Sequence, residues 1–298
     1  MSNPTARRFG LAAVLGATVL WSTTGLFVRM AALDPWSIVL WRSVFAALAL
    51  AIYWPLAVRD RGAALRATVS GAGLATVLLG VLGSATYIVA LTLTSVATVM
   101  TVYAALPFVS GALAFLATGE RLTRRFAAAG LLAAIGIAVM CGVSVGPTDL
   151  LGILLSLLMT LSYAGMLVLA KKHPTLDTTL LSLGSALGCV VVALPLVPHA
   201  WPAASSLLAC ALLGTLTSGL ASVLTLIGGR HIGSGEAGFL LLLDVALAPL
   251  WVWVLMGETV TLPMLAGGGL VVAAVLWYLA GDSLRRRAAP APRPCGPG

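Results

Sequence analysis

Charge is scarce in this chain. Of its 298 residues only 9% are Asp, Glu, Lys or Arg, and nine are acidic, against about 25% charged in ordinary soluble domains. A large water-soluble domain is thereby excluded. Histidine is almost absent: His173, His199 and His231 all fall between apolar runs, so no Ser–His dyad or His-centred transferase can be assembled in the core. Cys141, Cys189, Cys210 and Cys295 form no CxxC pair, which leaves neither a disulfide framework nor a zinc site. There is no P-loop for ATP-driven pumping, and no selectivity-filter string for a potassium channel. Gly233-Ser234-Gly235 lacks the strand–turn–helix setting of a nucleophile elbow. The net charge of +8 gathers on no face interleaved with aromatics, so nucleic acid is not an expected partner. Nothing in the sequence calls for a cofactor or a metal.

What is present is apolar: 60% hydrophobic residues, with 32 glycines in addition. A membrane-crossing helix takes about 20 apolar residues, and charges, prolines and turn residues divide the chain into ten such runs. They cover about residues 10–32, 35–57, 68–93, 95–117, 124–143, 149–170, 177–197, 203–228, 234–256 and 262–280. The runs are long and continuous rather than alternating, so helices and not barrel strands are expected. Loop charges set the orientation. Arg7, Arg8, Arg59, Arg61, Arg66, Arg121, Arg124, Arg125, Lys171, Lys172, Arg230, Arg285, Arg286, Arg287 and Arg293 share one side, with only Arg29 opposite and Arg42 inside the second run. The fold class expected is therefore all-α integral membrane, with ten transmembrane helices and both termini cytoplasmic.

The sequence also repeats. A shift of 138 residues sets Gly119-Glu120-Arg121-Leu122-Thr123 against Gly257-Glu258-Thr259-Val260-Thr261 and Ser84 against Ser222; a shift of 140 sets Ser22 against Ser162 and Gly25 against Gly165. Five helices per copy is an odd number, so the second copy enters from the other side: two inverted five-helix repeats, a common design of secondary transporters. The expected organisation is a cytoplasmic N-terminus over 1–9, repeats over 10–143 and 149–281, and a basic, disordered tail over 282–298.

Leu20-Trp21-Ser22 in the first run, Leu40-Trp41-Arg42 in the second, Leu106-Pro107 before Gly119-Glu120-Arg121-Leu122-Thr123, and Gly257-Glu258 after the ninth carry a family resemblance. In that order and spacing they resemble the drug/metabolite transporter superfamily, specifically EamA-type carriers, over most of the chain. The resemblance implies a multi-pass carrier of the cell (inner) membrane with a central cavity between its halves. The Leu20-Trp21-Ser22-Thr23 string is also similar to amino-acid exporters of that superfamily. One departure stands out: Asp244-Val245 occupies the place where second halves often show Glu-Pro, with Pro249 about a turn later.

A charge within a span costs about 2.5–3.5 kcal/mol on insertion scales, which makes each one a functional candidate. Asp244 falls near the midplane and Arg42 within several ångströms of its depth. Two readings are open: a structural ion pair, or a substrate-ammonium or proton site at Asp244 tuned by Arg42. Trp21 and Thr24, Ser84 and Tyr87, Thr98, Thr101 and Tyr103, Ser162 and Tyr163, and Ser222 are the candidate lining of a shared cavity, the hydroxyls having the alternative of bonding their own helices. Pro107 and Pro249 are candidate gating kinks. Glu120 and Glu258 sit where carboxylates reach helix N-termini and loop arginines. The expected activity is export or exchange of a small amphipathic metabolite, foremost a neutral or aromatic amino acid, by alternating access, with proton coupling open. Its expected partners are that small-molecule substrate and the lipid bilayer. Other metabolites or drugs are the alternative cargo, and an intramembrane enzyme or a receptor the remaining classes.

Overall fold

A computed structural model describes residues 4–58, 60–118, 124–141, 146–198, 200–229, 231–232, 240–241 and 243–288. Among them the chain is helical, with no strand. In order the helices are α1 (Pro4–Ser22), α2 (Thr24–Ala31), α3 (Pro35–Ala57), α4 (Arg61–Thr68), α5 (Gly71–Leu93), α6 (Val96–Ala104) and α7 (Leu106–Thr118). After them come α8 (Arg124–Cys141), α9 (Pro147–Lys172), α10 (Thr178–Ala193), α11 (Ala204–Leu212), a π-helical segment (Leu213–Leu220), α12 (Ala221–Gly229), α13 (Leu243–Met256) and α14 (Leu262–Ala288). Seven described stretches are long and apolar enough to cross a bilayer, and Leu243–Met256 and Leu262–Tyr278 are shorter apolar helices. The tail 289–298 and the repeated motif at 119–123 lie outside the described residues.

Short polar residues start several of these helices. Asp34 precedes Pro35 and its Oδ1 accepts from the N–H groups of Trp36 (3.1 Å) and Ser37 (3.0 Å), while Ser70, Ser95 and Asp177 accept in the same way at the starts of α5, α6 and α10. Ser70 accordingly separates α5, the run expected over 68–93, from α4, a short helix where the sequence shows a charged connection.

Among the described residues three of the apolar runs are interrupted midway, and a fourth, α10, ends in a 3-10 turn over Leu194–Leu196. At Thr23 the hydroxyls of Ser22, Thr23 and Thr24 turn back to the carbonyls of Val19, Leu20 and Trp21 at 2.6–2.7 Å, competing with the backbone ladder and separating α1 from α2. At Ala105 the ladder tightens to an N–H bond to Val102 (3.1 Å), because Pro107 offers no donor to the Tyr103 carbonyl and its ring excludes it. The third is the π-helical segment, whose wider turn carries Gly214, Thr217 and Ser218. By contrast α13 continues through Pro249.

The broadest helix contacts join helices before residue 142 to helices after residue 146: α5 lies on α9, α8 on α14, α3 on α10 and α1 on α12. Small residues permit that approach. A Cβ at Gly136 would meet the Gly267 carbonyl at 2.7 Å, so α14 presents Gly267 to α8 of the same chain. The buried core gathers where these pairs meet, around Ile38, Ile88, Leu91, Val99, Met159 and Leu213.

Candidate functional site

A cavity of about 290 Å³ opens between the two sets of helices. Its walls come from α1 and α2 (Trp21, Thr24), α3 (Arg42, Ser43, Ala46, Leu50), α5 (Gly80, Ser84, Tyr87) and α6 (Met100, Tyr103). Opposite them stand α9 (Met159, Tyr163, Met166), α10 (Ser182, Ser185, Ala186), the π segment and α12 (Thr217, Ser218, Ser222), and Asp244 of α13. All three interrupted helices break at this level, so the breaks bring Trp21, Tyr103 and Ser218 to the wall. A hydrogen bond from Trp251 Nε1 to Ser22 Oγ (2.9 Å) fixes α13 against the first break.

Two charges face this space. Arg42 is 7% exposed and Asp244 9%, yet among the described residues they form no ion pair within 4.0 Å. The pairing expected as one reading of the sequence is therefore corrected. Arg42 turns its guanidinium to hydroxyls instead, donating from Nη1 to Ser218 Oγ (3.4 Å) and from Nη2 to Ser84 Oγ. Its Nε and the Oδ1 of Asp244 are buried with no hydrogen-bond partner. Close packing fixes the arginine: Gly214 of the π segment lies against the Arg42 carbonyl, and a Cβ there would also come 2.9 Å from the Ala46 nitrogen.

Aromatic rings close the space around the charges. Tyr103 and Tyr163 meet edge to face, with centroids 6.3 Å apart at 80°, and Tyr87 and Trp21 complete the group. Such a wall takes an apolar or aromatic portion of a small molecule, and the two charges and the hydroxyls fix its polar end.

Of the residues singled out from sequence, Trp21, Thr24, Arg42, Ser84, Tyr87, Tyr103, Tyr163, Ser222 and Asp244 meet at this cavity. Thr98, Thr101 and Ser162 are not on its wall. Thr98 lies in the first turn of α6, beside its capping residue Ser95; Thr101 faces α14, where a Cβ on Gly268 would sit 3.0 Å from its Oγ1; Ser162 bonds the Leu158 carbonyl (2.8 Å) and packs on Gly83. Pro107 stands just past the break at Ala105, and neither it nor Pro249 is on the wall itself. Ser43, Ser182, Ser185 and Thr217 line the cavity unannounced. Each carried a signal that could have found it: Ser43 adjoins Arg42, Ser182 and Ser185 share one face of α10 with Thr178 by helical spacing, and Thr217 adjoins Ser218.

The model of the EamA-like transporter family matches this chain twice, over residues 8–142 and 149–280. An uncharacterized transporter of Archaeoglobus fulgidus is 32% identical over 273 residues, which covers 90% of this chain and 96% of that protein. A protein known from its crystal structure superposes with a TM-score of 0.63 over 97% of this chain and 100% of its own, at 20% identity, a likeness of fold alone.

Proposed function

Since this chain belongs to the EamA-like transporter family, and is thus a multi-pass membrane transporter and not an enzyme, we propose that its cargo is a zwitterionic metabolite, foremost a neutral or aromatic amino acid, exported or exchanged by alternating access. Two buried charges that face one cavity without neutralising each other carry this reading. An unpaired buried charge is destabilising, and a substrate bearing a carboxylate and an ammonium supplies both missing partners at once. Arg42 receives the carboxylate, which a guanidinium grips more firmly than a lysine would; Asp244 receives the ammonium; Trp21, Tyr87, Tyr103 and Tyr163 take the side chain. A proton competes for the same Asp244 carboxylate, and that competition is the simplest route to coupling.

The double match of the family model supports two five-helix repeats, and the contacts between them support a two-fold relation, which an odd number of spans per repeat makes an inversion. Numbering the spans in chain order, contact of the third with the sixth mirrors that of the eighth with the first, and contact of the third with the seventh mirrors that of the eighth with the second. Ten spans with both termini cytoplasmic, in the inner membrane, follow from this reading together with the loop charges.

Counterflow into proteoliposomes tests it. Vesicles loaded with unlabelled threonine, methionine or phenylalanine are expected to accumulate the labelled amino acid transiently, and a pH gradient changes the plateau only if protons are coupled. No counterflow by folded protein across the three would overturn the amino-acid assignment.

A further inference from the structure

One end of the bundle is sealed by a charge pair that does more than pair. Arg29, at the end of α2, donates from Nε to Glu258 Oε2 (3.1 Å), from Nη1 to the Leu91 carbonyl (2.7 Å) and from Nη2 to the Thr94 carbonyl (3.0 Å). Glu258 Oε1 accepts from the Val96 N–H (2.9 Å). The cation thus satisfies carbonyls at the C-terminus of α5, and the anion a free N–H at the N-terminus of α6, each at the helix end that favours its sign. Gly257 holds the carboxylate there: its φ of 69° lies in the left-handed region that glycine adopts without strain, and it turns the chain at the end of α13 so that Glu258 follows at once. Arg29, Leu91, Thr94 and Val96 belong to the N-terminal half of the chain, Glu258 to the C-terminal half.

Directly beneath the pair lies an apolar layer without open space. Val28, Ile38, Val39, Ile88, Leu91, Val96 and Val99 are at most 3% exposed, and Gly25 is pressed against Val96. The cavity begins about one turn deeper, at Tyr87 and Met100. From there its wall is displaced toward the opposite end of the bundle. It takes the second half of α9 (Met159, Met166), which finishes at Lys171 and Lys172, the first half of α10 (Ser182, Ser185), and α3 as far as Leu50.

We propose that Arg29–Glu258 is a latch closing this end of the transport path, broken and remade in each cycle, and that the structure is the state open toward the Lys171–Lys172 end. The assignment rests on alternating access as read above, and on no particular substrate. Both charges are about a quarter exposed, with side chains at 28% and 22%, so water replaces the lost partners when they part. A permanently dry pair would be far costlier to open.

Accessibility of the cavity from each side tests the latch without any cargo. In the full chain with Ala46→Cys in membrane vesicles of both orientations, a membrane-impermeant thiol reagent is expected to modify the cavity faster from the Lys171–Lys172 side. Adding Glu258→Gln is expected to raise the rate from the latch side about tenfold, the scale of losing a charge-assisted bond, and to lower the rate from the other side. Arg29→Lys, which keeps the charge but loses the fork that spans the Leu91 and Thr94 carbonyls, is expected to give a smaller shift in the same sense. It decides the matter if Glu258→Gln does not fold. Rates that stay unchanged, or rise equally from both sides, in a folded variant overturn the latch and leave the pair a static tie. Failure of amino-acid counterflow would leave these rates untouched, so the two readings fail separately.

Discussion

Asp244 is a buried carboxylate held at a cost in stability, and the proposed cargo site gives that cost a reason. Its Oδ1 has no partner among the described residues, and an uncompensated carboxylate away from water destabilises the fold that holds it. Asp244→Asn removes that penalty and the ammonium partner together. We expect the variant to keep or raise its melting temperature while exchange of a zwitterion falls at least tenfold; thermal denaturation and counterflow on the same preparation check both. A variant that loses stability and keeps exchange would make Asp244 structural. The sequence identified Asp244 and Arg42 because charge is rare in apolar runs, and a rare residue type carries its own signal. It could not say that they stand apart, since depth along two helices fixes neither their rotation nor the hydroxyls of Ser84 and Ser218 that draw the guanidinium away.

Interrupted helices belong to the next scale. The breaks at Thr23 and Ala105 and the π segment at Leu213–Leu220 all lie at the level of the cavity, where irregular backbone is tolerated because it lines a polar space rather than lipid. Pro107→Ala restores an N–H that can reach the Tyr103 carbonyl and lets α6 run on into α7. Slower exchange with an equal or higher melting temperature is expected, from counterflow rates and thermal unfolding; an unchanged rate would remove this break from the transport cycle. Gly214 tests the π segment. A Cβ there collides with the backbone of α3 at Arg42 and Ala46, which cannot yield as a flexible side chain would, so Gly214→Ala is expected to destabilise the protein by about 1–3 kcal/mol, read as a lower melting temperature. Pro107 was legible as a break because its missing donor is local. The π segment was not, since Leu213–Leu220 has no proline and its widened turn answers to packing on α3.

At the scale of the whole molecule the two halves hold each other. The widest contacts, α5 with α9, α8 with α14, α3 with α10 and α1 with α12, all cross between them, and in lipid such contacts rest on close packing rather than on expulsion of water. Fragments divided between residues 142 and 146 are therefore expected to be unstable when produced singly. Produced together, they are expected to co-purify through a tag on one half and to recover exchange. A half that is monodisperse and thermally stable by itself would show that the interface is secondary.

By itself the sequence determined the solvent of this protein, the helical class and the position of the runs, because these depend on length, hydropathy and local chemistry that every residue carries with it. The repeat was legible for the same reason. Only the tertiary structure decided which side of each helix meets the cavity. Helical spacing groups residues onto one face, but in a bilayer the face toward lipid and the face toward a neighbour are equally apolar, so spacing does not choose between them. Thr101 and Ser162 went to helix contacts and Ser182 and Ser185 to the cavity for that reason. The joining of Arg29 to Glu258, 229 positions apart, likewise exists only once the two halves are folded together.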